Sequence, residues 1–115
     1  MSAAAAAAAA SRVVKAAQHK AFTEAVGSGK AVACFSAVWC GPCQRIAPAF
    51  EKLSAAPELS KVSFVKVDVD ENPESAADVR AVPTFKLFKG GVAVKEFSGG
   101  DAKKLQETLV AFARE

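Results

Sequence analysis

Residues 39–43 read Trp39-Cys40-Gly41-Pro42-Cys43. They directly follow an apolar run, Ala31-Val32-Ala33-Cys34-Phe35, which has the pattern of a strand covered on both faces. The two thiols therefore stand where a strand is expected to turn into a helix. A helix N-terminus carries partial positive charge and unpaired backbone N–H groups. Both favour a thiolate over a thiol, so Cys40 is expected to have a depressed pKa and to be the reactive sulfur. Cys43, one turn on and on the same helix face, is placed to attack a mixed disulfide formed at Cys40. The chemistry this arrangement suggests is dithiol–disulfide exchange.

The elements that must position the pair are legible from periodicity. Arg12 to Ala16 reads as a short edge strand. Gln18 to Ser28 has helical spacing, with Ala21, Phe22, Ala25 and Val26 on one side, and Gly27-Ser28-Gly29 ends it. A covered strand follows over Lys30 to Ala37. Cys40 to Ala55 reads as a helix whose Ile46, Ala47, Phe50 and Leu53 face a core, with a kink expected at Pro48. Val62 to Asp68 reads as a second central strand. Asn72-Pro73 is expected to open a short helix through Ala77 and Val79. Thr84 to Lys89 and Val92 to Ser98 read as a hairpin around Gly90-Gly91. Gly99-Gly100 breaks it, and Asp101 caps a final helix carrying Leu105, Leu109, Val110 and Phe112.

The resulting order, β-α-β-α-β-α-β-β-α, implies an α/β fold. Parallel strands come first, and an antiparallel hairpin is added at one edge. The cysteines then lie at the C-terminal end of a central strand, where open α/β sheets place their sites.

A length of 115 residues, 51% of them apolar, fits one domain with one core. The net charge of +3 is spread as single lysines rather than basic runs, which gives no footprint for nucleic acid. Three cysteines cannot form a disulfide framework, and this usage fits a reducing compartment. No apolar stretch approaches the ~20 residues of a membrane span. Met1, Ser2 and the alanines from Ala3 to Ala10 lack the basic and bulky apolar regions of a signal peptide. Residues 1–11 are read as a short frayed or weakly helical tail before a domain over 12–115. A trimmed targeting remnant is the alternative.

Over residues 12–115 the chain resembles the thioredoxin family. The motifs are Trp39-Cys40-Gly41-Pro42-Cys43, Pro48 in the helix that follows, and Val65-Lys66-Val67-Asp68-Val69-Asp70 with Asn72-Pro73. Val82-Pro83-Thr84-Phe85 and Phe88-Lys89-Gly90-Gly91 complete the set. The resemblance implies a thioredoxin fold, with a central mixed five-stranded sheet flanked by four helices. It implies a protein-disulfide reductase in which Cys40 is the nucleophile, Cys43 the resolving thiol, and Cys40–Cys43 the redox-active disulfide. It further implies disulfide-containing client proteins and a thioredoxin reductase as electron donor. A cytoplasmic monomer is expected, with no cofactor, metal, membrane or nucleic-acid partner. Pro83 matches the family's cis-proline. Client backbone would pair beside it at Val82, on a flat apolar surface of Trp39, Gly41, Pro42, Val82, Pro83 and Gly99.

The chain departs from the family at Cys34, where a buried aspartate is usual. A buried thiol cannot copy that acid, because its pKa is high and burial raises it further. Cys34 reads as a small buried hydrophobe, with water carrying the proton; a redox-modulating role is the competing reading. Proton transfer at Cys43 is therefore expected to be less assisted than in typical relatives. Lys66 matches a lysine that lies near the missing acid, and reads as a snorkelling side chain. Val38 adds apolar surface beside Trp39.

Other readings of the same residues are weaker. A zinc site at Cys40 and Cys43 would need Cys34 and His19, which come from a strand and a different helix. Asp68 and Asp70 are read as solvated or capping residues rather than a metal pair. An oxidant or isomerase is disfavoured by Pro42, where oxidising relatives more often carry histidine. A redox-inactive binding subunit remains the non-enzymatic alternative.

Overall fold

A computed structural model describes residues 11–115. The alanine-rich segment 1–10 lies outside the described residues, and with it the expectation of a frayed or helical tail. The strands are β1 (Val13–Lys15), β2 (Lys30–Ser36), β3 (Val62–Asp68), β4 (Thr84–Lys89) and β5 (Val92–Ser98). The helices are α1 (His19–Val26), α2 (Gly41–Ser54) and α3 (Ala102–Ala113), with a single 3-10 turn at Pro57–Leu59.

The sheet order is β1-β3-β2-β4-β5. β1, β3 and β2 run parallel, while β4 is antiparallel to β2 and to β5. β2 is therefore the middle strand, and the loop leaving its C-terminal end carries the cysteine motif. Residues alternate between the two faces of β2. Val32 and Cys34 join Phe64, Phe85 and Leu87 under α2 and α3, which contribute Ile46, Phe50, Leu105, Leu109 and Phe112. Ala31, Ala33 and Phe35 join Val65, Val67 and Phe88 on the other face, where α1 contributes Phe22 and Val26. Double coverage explains why residues 31–37 are buried without interruption. Ala21, expected on the core side of α1, is exposed.

The sheet is as expected, but the helix count is not. The chain has three α-helices rather than four. The segment opened by Asn72-Pro73 forms successive turns, closed by i→i+3 bonds from Ala76 N–H to Pro73, Ala77 N–H to Glu74 and Val79 N–H to Ala76. Tertiary anchors hold it in that form. Buried Asn72 donates through Nδ2 to the Ala16 carbonyl at 3.1 Å, and its Oδ1 accepts from Ser75 N–H at 3.3 Å. Ser75 Oγ lies 2.9 Å from His19 Nδ1 on α1. These bonds pin the segment to β1 and α1 at its first turn, and a favourable Pro73 does not outweigh them.

α2 continues through Pro48 to Ser54. The missing N–H there leaves the Gln44 carbonyl without its helical partner. Asp101 caps α3 by accepting from Lys103 N–H at 3.0 Å and Lys104 N–H at 3.1 Å.

Candidate active site

Four residues, Ala37 to Cys40, carry the chain from β2 into α2. Cys40 is not the first helical residue but the N-cap, with extended φ −89° and ψ 111°. Its Sγ accepts from the Cys43 backbone N–H at 3.2 Å. A sulfur thus takes the place of the usual capping oxygen. An N–H donor aimed at sulfur, at the positive end of a helix, stabilises negative charge there, and thioredoxins are a standard case of this effect. Pro42 sits in the first turn, where its missing N–H removes no helical bond.

Cys40 and Cys43 form a disulfide, with Cα atoms 5.3 Å apart. Both are buried, packed with Ala37, Val69 and Val82. Cys40 Sγ lies 3.6 Å from the Val82 carbonyl oxygen. The Val82–Pro83 peptide bond is cis. The Pro83 carbonyl accepts from Gly99 N–H at 2.9 Å, which ties the loop to the end of β5. Gly99 has φ 107°, a conformation that side-chain-bearing residues rarely adopt. A Cβ on Gly100 would lie 3.4 Å from Pro42, so the backbone packs directly on the motif.

Of the residues expected to form the flat apolar surface, Trp39, Gly41, Pro42 and Gly99 are exposed, Val82 is half-buried and Pro83 is buried. Val38 and Trp39 are 75% and 69% exposed, the most exposed large apolar side chains among the described residues. Sequence reasoning missed what holds Trp39. Its indole N–H donates to Asp70 Oδ2 at 2.8 Å, bridging 31 positions. Asp68 Oδ1 accepts from the backbone N–H groups of Asp70 at 2.8 Å and Glu71 at 3.2 Å, shaping the turn that presents Asp70. The two aspartates serve geometry, as capping rather than metal binding would have it.

Cys34 lies on β2 beneath α2, free and buried. Burial pushes its thiol up from 9.0 to about 12, against the pull of nearby Lys66. Lys66 is half-buried and neighbours Cys34 on β3. His19 stands with α1 on the opposite face of the sheet, bonded to Ser75, and so is separated from the three cysteines. Among the described residues, no three potential metal-binding side chains come together. No helix among them is long and apolar enough to cross a membrane.

A family model described as thioredoxin matches residues 13–113. The chain is 43% identical to thioredoxin Asp f 29 of Aspergillus fumigatus, over 86% of this chain and 94% of that protein. It is 44% identical to the thioredoxin of Rattus norvegicus, over 82% of this chain and 92% of that one. The crystal structure of Malassezia sympodialis thioredoxin matches with a TM-score of 0.85 at 39% identity, covering 90% of this chain and 92% of that chain. The chain belongs to the thioredoxin family. It is a Cys-x-x-Cys redox protein, a thiol–disulfide oxidoreductase of the thioredoxin type.

Proposed function

We propose that this oxidoreductase works in the reducing direction on protein disulfides. Cys40 attacks a client disulfide and forms a mixed disulfide. Cys43 then attacks Cys40 Sγ, the Cys40–client bond breaks, and the client leaves reduced by two electrons. A thioredoxin reductase returns the Cys40–Cys43 disulfide to the dithiol. The observation that carries the order of attack is the capping geometry, with Cys40 Sγ facing both the Cys43 N–H and the Val82 carbonyl, while Pro42 between the cysteines, where oxidising relatives more often carry histidine, supports the reducing direction. The sulfur that borders the docking loop is thus the one the helix end activates.

Client backbone lies along Val82 and Pro83, with Trp39, Gly41, Pro42 and Gly99 as the surrounding floor. Exposed Trp39 and Val38 favour clients with apolar residues beside the disulfide. The cysteine usage supports a cytoplasmic setting.

Two variants test the order of attack. Cys40→Ser is expected to abolish reduction of a protein disulfide such as insulin's, while Cys43→Ser accumulates a covalent Cys40–client adduct that dithiothreitol releases. Adduct formation through Cys43 in Cys40→Ser, with none in Cys43→Ser, would reverse the assignment.

A further inference from the structure

The helix that follows Cys40 carries a cation where helix electrostatics disfavour one. Positions 41 and 45 share a face of α2, and helical side chains lean back toward the N-terminus. Arg45 does so. A Cβ on Gly41 would lie 3.2 Å from Arg45 Nη1 and 3.9 Å from its Cζ and Nη2. The guanidinium thus lies against the backbone of the residue next to Cys40, and a side chain at position 41 would push it away. Gly41 and Arg45 are both exposed, whereas Cys43, Ile46 and Phe50 fill the buried face of the same helix.

The positive end of a helix repels a cation, and the first turn of α2 holds no acidic residue to offset it. Among the described residues, no carboxylate comes within 4.0 Å of the Arg45 guanidinium. Two acids that flank the site are engaged elsewhere: Asp70 Oδ2 accepts from the Trp39 indole, and Asp101 caps α3. Trp39, Gly41, Pro42, Val82, Pro83 and Gly99 carry no charge. Arg45 therefore sets unpaired positive charge at the edge of an uncharged surface. A side chain that opposes its own helix dipole and gains no partner within the chain points to a partner outside it.

We propose that Arg45 is a specificity-determining residue of the docking face: its guanidinium pairs with a carboxylate that the client carries close to its disulfide. Disulfides with an acidic neighbour are then reduced faster than neutral ones, and those with a basic neighbour slowest. The proposal rests on the reading of Cys40 as the sulfur that attacks client disulfides. A guanidinium suits this role because its planar fork matches a carboxylate with two parallel N–H donors. The pair forms at the rim of the contact, where charge acts on encounter and on the choice of partner. The exchange chemistry at the two cysteines is the same for every client.

The test uses symmetrical disulfides of single-cysteine peptides that differ only in glutamate, glutamine or lysine two residues from the cysteine, on each side in turn. Second-order rate constants for the reduced protein are normalised to those of dithiothreitol with the same peptides. The quantity read is the glutamate-to-glutamine ratio within one variant, which cancels any change in Cys40 reactivity or in folding. The wild-type ratio is expected to be roughly two- to fivefold on at least one side, with lysine slowest, and to fall toward one in about 1 M salt. Arg45→Met removes the preference, Arg45→Lys retains most of it, and Arg45→Glu inverts it. A wild-type ratio of one on both sides, a ratio that salt leaves unchanged, or an Arg45→Met variant that keeps the wild-type ratio overturns the proposal. So does a uniform slowing of all peptides in Arg45→Met with the ratio intact. A wild-type chain that reduces none of the peptides is a different failure: it condemns the reading beneath, and the proposal with it.

Discussion

The Cys40 sulfur is both the group expected to react and the cap of the helix that activates it. Its place at a helix N-terminus is legible in the sequence, because thiolate stabilisation is a local consequence of where a strand meets a helix; that it is the cap rather than the first helical residue is not. The Trp39–Asp70 bond is not legible, since nothing within either segment marks a partner 31 positions away. His19 is a similar case: its contact with Ser75 arises only when α1 and the turns after β3 are brought together. Cys34 is recognisable as a departure, and it lies buried on β2 as the apolar run implies. Its pKa has a consequence for stability. Between 9.0 and about 12 the unfolded chain releases the thiol proton while the folded chain retains it. The stabilising contribution is complete below that window and is lost as pH rises through it. Denaturant unfolding at stepped alkaline pH should therefore show a shallower loss in Cys34→Ala than in the parent. Equal slopes would contradict a buried neutral thiol.

At the scale of elements, strands β3, β4 and β5 have the bounds their alternation and turn residues predict. The segment after β3 does not form the expected helix, because Asn72 and Ser75 are used for anchoring to β1 and α1. The same segment ends in Asp78, which reaches a cation on the sheet. Lys86 of β4 is 6% exposed, with Nζ 2.6 Å from Asp78 Oδ1, 4.0 Å from Glu96 Oε1 and 5.3 Å from the Phe35 ring centroid. The Lys86 hydrogen bond holds the Asp78 carboxyl below its ordinary range. That stabilisation is present above the ordinary carboxylate pKa and is lost as pH falls through the folded value. Asp78→Asn should destabilise the chain at neutral pH by roughly 1–3 kcal/mol, since it leaves a buried ammonium short of a partner. The loss is smaller than for a fully buried pair because the carboxylate is largely in water. Urea unfolding at neutral and at strongly acid pH checks it: the difference should shrink in acid, and equal stability at neutral pH would contradict the account.

At the scale of the molecule, the sheet order places β2 at the centre, so the strand that delivers the cysteines is packed from both faces. The Val82–Pro83 loop borders Cys40 from the β4–β5 side, and an open cleft borders Cys43 from the β3–β1 side. The two cysteines are thereby bordered from opposite flanks. The order of elements conveyed this arrangement through the alternation of strands and helices, but the separation of the flanks depends on long-range register that no local pattern encodes. The central claim is that the Cys40–Cys43 dithiol acts as an electron donor to protein disulfides. The direct test is its reduction potential, obtained by equilibrating the protein with dithiothreitol and glutathione buffers and counting free thiols. The account predicts a potential well below that of the glutathione pool, with two thiols titrating together while Cys34 stays reduced. A potential at or above the pool would contradict it and identify an oxidant or isomerase instead.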